Sequence, residues 1–258
     1  MTDRSLGEPS PRHQARTEIW RRLPYHVGPS ARHVAMSDRL VRHGRVPTIW
    51  WHSTDSPTLL LGAGQTLNGA ARRDETVRRH AGGTAVLAGP GVLGLDVMLP
   101  AGHPLAPPDI VEAYRWLGET WVGALSNLSI DAHLVTIAEA RAAPRDPALA
   151  AACFGSLSPY EVTVAGRKVV GLAQVRRTNG TLLQAGVHLR FDADALASAL
   201  YPGNPGPFAE RLRLFAMGLH EVTDAGADTI MDAFHRALTD SLGIALRDGE
   251  WSIGEMPT

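Results

Sequence analysis

Two residue types capable of nucleophilic or electrostatic chemistry stand close together near the middle of the chain. Cys153, the only cysteine, closes "PALAAACF", and Lys168 follows 15 residues later in "GRKVVGLAQVRR". Read by alternation, Lys168 shares one strand face with Val170 and Leu172, while Val169, Gly171, Ala173 and Val175 line the other. Both faces are apolar, so the ammonium sits either at a wet rim or inside a pocket. Gly171 favours the pocket, because a glycine inside a strand often marks the close approach of a ligand or backbone. The plainer alternative is a solvated lysine at a strand end. Cys153 is by default a buried, inert thiol. Upstream, "RRHAGGTAV" pairs Arg79 with Gly82 and Gly83, whose bare backbone N–H groups suit a carbonyl oxygen or phosphate. A helix that ends at Gly82 explains the same residues without a ligand.

Composition narrows the classes. The chain has 258 residues, 44% hydrophobic and 20% charged, enough for a full core and too apolar for general disorder. A net charge of -1 provides no basic field for a nucleic acid, which leaves small molecules or proteins as expected partners. A single cysteine excludes an internal disulfide framework and a zinc site of several thiolates. The 11 histidines show no zinc spacing, so no metal site is expected. "GAGQTLNGAA" lacks the third glycine of a dinucleotide fingerprint, because Leu67 stands there. The start, "MTDRSLGEPSPRHQAR", carries no apolar signal, and no segment approaches a bilayer span; a cytoplasmic protein with no membrane partner is expected.

The elements that would position these residues follow from pattern. A first helix spans "PSARHVAMSDRLVRHG", with Ser30 as its cap and Gly44 at its end; strands follow at "PTIWWHS" and "PTLLLG". "RRDETVRR" reads as a charged helical piece leading through the glycine turn to strands near 84–87 and 93–99. "PDIVEAYRWLGETWVGALSNL" carries a helical stripe from Ile110 through Tyr114, Leu117, Trp121 and Leu125 to Leu128. From 160 to 190 three antiparallel strands are joined by turns at Ala165-Gly166 and Asn179-Gly180. After 191 the pattern is helical, including the stripe Ile230, Phe234, Leu238 and Leu242. Strands backed by a few long helices predict an α+β class, with one antiparallel-rich mixed sheet packed against helices.

The segment "CFGSLSPYEVTVAGRKVVGLAQVRRTNGTLLQAG", with "RRHAGGTAV", "ARHVAMSDRL" and "PTLLLGAGQ", resembles the lipoate-protein ligase and octanoyltransferase family, whose catalytic domain also resembles biotin-protein ligases. The likeness covers about residues 25–190. The polar start reads as a flexible segment over 1–18, and the resemblance implies a catalytic domain over 19–258, whose C-terminal helices from about 191 follow from the pattern above. By resemblance, Lys168 contacts the reacting carbonyl at the end of an acyl tunnel. Arg79, Gly82, Gly83, Thr84 and Ala85 match the turn over the acyl group, and Gly171, Ala173 and Gln174 follow the lysine in its signature. One branch of octanoyltransferases places a cysteine nucleophile where Cys153 stands. Departures are Ala88 and Ala185 in place of family histidines, and Leu172 in place of a small hydroxyl residue, which predict a more apolar pocket. The implied reaction moves an octanoyl or lipoyl group to a lysine of a lipoyl domain, in a 2-oxoacid dehydrogenase complex or glycine cleavage H protein. The donor is octanoyl-acyl carrier protein, with no cofactor, or free lipoate, with ATP and Mg in a ligase working through an adenylate. A non-catalytic acyl-binding protein is the third reading.

Overall fold

The computed structural model describes residues 17–66 and 76–256. The glycine-fingerprint candidate extends beyond Thr66, and the first half of "RRDETVRR" and most of the N-terminal segment lie outside the described residues.

The first element among the described residues is strand β1 (Glu18–Arg22), so Glu18 already belongs to the fold, followed by β2 (His26–Gly28) and helix α1 (Ser30–His43). Pro29 caps α1, not Ser30, whose hydroxyl is spent instead on Thr54 Oγ1 at 2.9 Å. Then come β3 (Thr48–Thr54), β4 (Thr58–Leu61), β5 (Thr76–Arg78), β6 (Val86–Ala88) and β7 (Val92–Pro100). The expected charged helix before the glycine turn is therefore strand β5 at residues 76–78; tertiary pairing with β4 outweighs local propensity. Helix α2 (Arg115–Ser126) follows one 3-10 turn, and Ile110 is left exposed ahead of it, outside the stripe it was expected to lead. Strand β8 (Ala132–Leu134), helix α3 (Ile137–Ala142), β9 (Val162–Val164), β10 (Arg167–Arg177) and β11 (Gly180–His188) complete the middle of the chain. Helices α4 (Ala193–Leu200), α5 (Gly206–Phe215) and α6 (Ala227–Leu242) follow, and the chain then adds β12 (Ile244–Asp248), a strand in a region read as wholly helical. Gly243, in left-handed conformation, ends α6 and turns the chain into β12, which pairs in parallel with β1.

The main sheet runs β12-β1-β3-β7-β11-β10-β9-β8, with β2 beside β3, and a small second sheet runs β5-β4-β6. Pairings from β3 to β8 along that path are antiparallel, as the β9-β10-β11 meander predicted. One face of the main sheet packs on α2 and α6 through Leu95, Val97, Leu117, Trp121, Phe234 and Leu238. The opposite face meets α1 through Met36, Leu40, Trp50 and Met98. A separate core joins α4 and α5 to the small sheet and the cysteine loop through Leu59, Ala85, Leu149, Ala152, Leu196 and Leu212. The Asn179-Gly180 turn shifts by one residue: Thr178 and Asn179 form the loop and Gly180 begins β11. Gly180 is needed for close approach, since a Cβ there would lie 2.5 Å from Leu99 O.

Candidate active site

The site is built on strand pairing. Gly171 of β10 pairs with Gly186 of β11, Gly186 with Gly94 of β7, and Gly94 with His52 of β3. Directly paired residues point to the same face, so three glycines in register leave a trench across the centre of the sheet. Three inter-strand steps make it roughly 14 Å long. Helix α1, Leu60 and Val86 of the small sheet and the cysteine loop roof it into a cavity of about 120 Å³. Cys153 and Phe154 line one end with Gly171; His33 and His52 line the other with Asp96.

The cysteine does not close a helix. "PALAAACF" forms two 3-10 turns, and Ala151 O and Cys153 N–H bracket Ala85 at 2.9 and 2.8 Å, tying the cysteine loop to the strand after the glycine turn. The thiol is half-buried.

Lys168 is fully buried, 1% exposed, so of the two expected positions the enclosed one forms and not the wet rim. A β-bulge explains why. Lys168 pairs with Thr163 but Val170 with Val162, so β10 carries one residue more than β9 between these pairs. Val169 and Val170 both enter the core under α2 and α6. Lys168 turns to the Gly171 side, where its Cε would lie 3.2 Å from a Cβ on Gly171. Simple alternation had put it on the other face. The ammonium donates to Glu161 Oε1 at 2.6 Å, Cys153 O at 2.9 Å and Ser156 O at 3.4 Å, and lies 3.8 Å from Cys153 Sγ. It also sits 4.8 Å from the centre of the Phe154 ring. Burial alone would depress its pKa, but its interactions with Cys153 and Glu161 outweigh that and hold it above the ordinary lysine value.

Glu161, which the sequence reading overlooked, is 2% exposed. Burial pushes its carboxyl above the usual range, against the pull of Lys168 and of the Ser158 and Leu172 backbone N–H groups. Its place in the sequence between Cys153 and Lys168, at the end of "CFGSLSPYE", was the available signal. The inner end of the cavity was also missed. Asp96, 1% exposed, accepts from Ser37 Oγ at 2.5 Å and Gln184 Nε2 at 2.8 Å, and His52 Nε2 stands 3.6 Å away. His33 bonds His26 at 2.9 Å, and burial together with the neighbouring His52 and His26 lowers its pKa to about 3. Despite Ala88, Ala185 and Leu172, the lining is therefore not uniformly apolar.

The remaining residues named from sequence divide into two groups. Arg79, Gly171 and Ala173 line the cavity with Cys153. Arg79 spends its guanidinium on Gly82 O and Thr84 O, at 2.9 and 3.0 Å, and so shapes the glycine turn. Gly83 needs its positive φ of 89°, and its carbonyl would lie 1.8 Å from a Cβ on Gly62. Ala85 is buried in the second core, and Gln174 reaches away to Ile110 O at 2.7 Å. Among the described residues no cluster of three or more histidine, cysteine or acidic side chains could hold a metal.

The lone cysteine and the buried lysine thus stand together at one end of a glycine-floored cavity. Residues 29–241 match the family described as "Lipoyl protein ligase A/B catalytic domain". The chain belongs to that family and is an acyl-transferring enzyme of protein lipoylation. The match extends past the expected limit near 190 and includes most of α6. The chain is 32% identical to octanoyltransferase LipM of Kyrpidia tusciae, over 93% of each chain, and 28% identical to that of Staphylococcus aureus, over 90% of each. Among solved structures, the bi-partite lipoate protein ligase of Thermoplasma acidophilum, studied with its E2 lipoyl domain, superposes with a TM-score of 0.74 at 20% identity, covering 92% of this chain and 89% of its own. A lipoate-protein ligase A bound with ATP gives 0.70 at 20% identity, covering 91% and 90%. Those two likenesses establish the shared fold.

Proposed function

We propose that the chain transfers an octanoyl or lipoyl group to a lysine of a lipoyl domain through a thioester on Cys153. The observation that carries this reading is the contact of Lys168 with the only thiol, 3.8 Å from nitrogen to sulfur, at the end of a cavity long enough for an acyl chain. In the first step the Cys153 thiolate attacks the carbonyl carbon of a carrier thioester. A new C–S bond forms, the carrier C–S bond breaks, and the carrier thiolate leaves with the proton that Cys153 gave up. In the second, a neutral acceptor lysine attacks the Cys153 acyl carbon. A C–N bond forms, the C–S bond breaks, and the amine proton returns to sulfur.

Lys168 has two tasks in this scheme. An ammonium has three protons, and Glu161, Cys153 O and Ser156 O already take them, so at rest it fastens the cysteine loop to the strand. The bond to Ser156 O is the longest and is the one released to an oxyanion forming on the acyl carbonyl. Glu161 is a positioning residue that holds the ammonium. The reaction needs no cofactor; its donor is octanoyl-acyl carrier protein and its acceptors are lipoyl domains of 2-oxoacid dehydrogenase complexes or glycine cleavage H protein. The chain from Glu18 of β1 onward acts as one catalytic domain, and the setting is cytoplasmic. Among the described residues no helix is long and apolar enough to cross a membrane.

The test is incubation with octanoyl-acyl carrier protein followed by intact-protein mass spectrometry. The expected result is one octanoyl mass on Cys153, removed by hydroxylamine and absent in Cys153→Ala. Transfer to a lipoyl domain by Cys153→Ala that depends strictly on ATP, with ATP-pyrophosphate exchange, would replace this reading with an adenylate-forming ligase.

A further inference from the structure

The glycine floor of the cavity is not open along its whole length. Gly186 is bare, since a Cβ there would meet no atom within 4 Å. Gly94, the next glycine in the row, is covered: a Cβ there would lie 2.3 Å from Cε1 and 2.7 Å from Nδ1 of His52. The His52 imidazole therefore leans from β3 across β7 and lies on the trench floor. Its neighbours hold it there, with ring centroids of His33 and Trp50 each 4.7 Å away and Asp96 Oδ1 3.6 Å from Nε2. The acyl-transfer steps make no use of this ring, yet it lines the same cavity as Cys153, at the opposite end.

We propose that the His52 ring is the stop that sets the length of the acyl chain. From Gly171, beside the thiol, to Gly94 is two inter-strand spacings, about 10 Å. An octanoyl chain has seven C–C bonds, each advancing about 1.3 Å when extended, about 9 Å in all. Its methyl end thus arrives at the ring, with the chain under Val34, Leu60 and Val86 of the roof. A dodecanoyl chain is about 5 Å longer, which is one more inter-strand spacing, and that space is the one the ring fills. The proposal rests on the acyl-transfer reading for the identity of the chain; the stop itself is a property of the cavity.

Two measurements keep these apart. Affinities of full-length Cys153→Ala protein for hexanoate, octanoate, decanoate and dodecanoate are measured by calorimetry. Loading of Cys153 from an equimolar mixture of octanoyl and dodecanoyl N-acetylcysteamine thioesters is followed by intact-protein mass spectrometry in wild type, His52→Ala and His52→Phe. In an apolar channel without a stop, each further methylene tightens binding about fourfold. With the stop, affinity rises from hexanoate to octanoate and falls at least about tenfold from octanoate to dodecanoate, the cost of overpacking a filled site. His52→Ala with a native circular dichroism spectrum should raise the dodecanoyl-to-octanoyl loading ratio at least about tenfold, whereas His52→Phe, which keeps a ring, should leave it near the wild-type value. Dodecanoate binding as tightly as octanoate or more so, no binding of any of the acids, an unchanged ratio in folded His52→Ala, or an equal rise in His52→Phe overturns the stop. The affinity series needs no change at His52, so it decides the matter even where His52→Ala does not fold. A fall beyond octanoate without loading of Cys153 upholds the stop and removes the thioester mechanism instead.

Discussion

Replacing Lys168 by methionine keeps an unbranched side chain one atom shorter and removes its charge, which isolates the energetics of the buried pair. Glu161 then keeps its backbone donors, Ser158 and Leu172, but loses the ammonium 2.6 Å from Oε1. Removing one partner of a buried ion pair costs about 3–5 kcal/mol, a large share of the 5–15 kcal/mol that holds a typical domain. For a chain of this size that corresponds to a fall in melting temperature of roughly 6–20 °C. The sign of its pH dependence follows from Glu161. Burial already raises its pKa in the wild type, and loss of Lys168, which pulls it down, raises it further. The native variant therefore holds a proton that the unfolded chain releases above about pH 4.3, so stability falls as pH rises through that window and returns as pH falls. Thermal melts of wild type and Lys168→Met between pH 5 and 8 should show a gap that widens with pH. Adding Glu161→Gln to the variant should recover a substantial part of the loss at pH 8. An equal gap at all pH values, or a double variant less stable than the single one, would show that the pair is not the buried charge couple described. Lys168→Ala carries the same penalty.

Three further outcomes follow from the cavity and its walls. Gly186→Val should melt within a few degrees of wild type yet lose acyl loading by on the order of tenfold or more, because a Cβ at Gly186 meets no atom within 4 Å and enters the cavity; retained loading would mean the acyl chain lies elsewhere. Gly94→Ala should instead lower stability by about 1–3 kcal/mol in denaturant melts, since its Cβ would lie 2.3 Å from the His52 ring, and a neutral result would show that His52 moves freely. His188 is buried between Phe154 and Phe191, neither ring nitrogen makes a well-formed hydrogen bond, and burial lowers its pKa to about 4. The unfolded chain binds that proton near 6.5, so wild-type stability drops as pH falls from 6.5 to 4, by about 3 kcal/mol from this group; His188→Leu should flatten that acid limb in melts, and an unchanged limb would refute the assignment.

Local signals were legible. The apolar stripe of α6, the meander of β9 to β11 and the cysteine before the lysine are all patterns within 35 residues, and each rests on the period of one element or the spacing of one loop. Elements decided by distant partners were not. The five residues of β12 gain their strand character by pairing with β1, from the other end of the chain. In the same way Asp96, bonded to Ser37 and Gln184, is 59 and 88 residues from those partners, and nothing in "VLGLDVMLP" marks it as part of a polar cavity wall.

The lysine shows most clearly where periodicity stops. Alternation put Lys168 on the Val170 face, and one extra residue opposite β9 reverses that assignment. The bulge lets Val169 and Val170 both serve the core under α2 and α6 while the ammonium crosses to the face of Gly171. There a charge that would be costly in an apolar interior is neutralised by Glu161 and fixed by two carbonyls of the cysteine loop. The same small displacement thus stabilises the strand pair, orders the loop and brings the ammonium to the thiol. Gly171 is the residue that permits it, because any side chain there would meet Lys168 and Phe154 at 3.2 Å. Its absence of a side chain serves the contact between lysine and cysteine loop as much as the width of the acyl cavity.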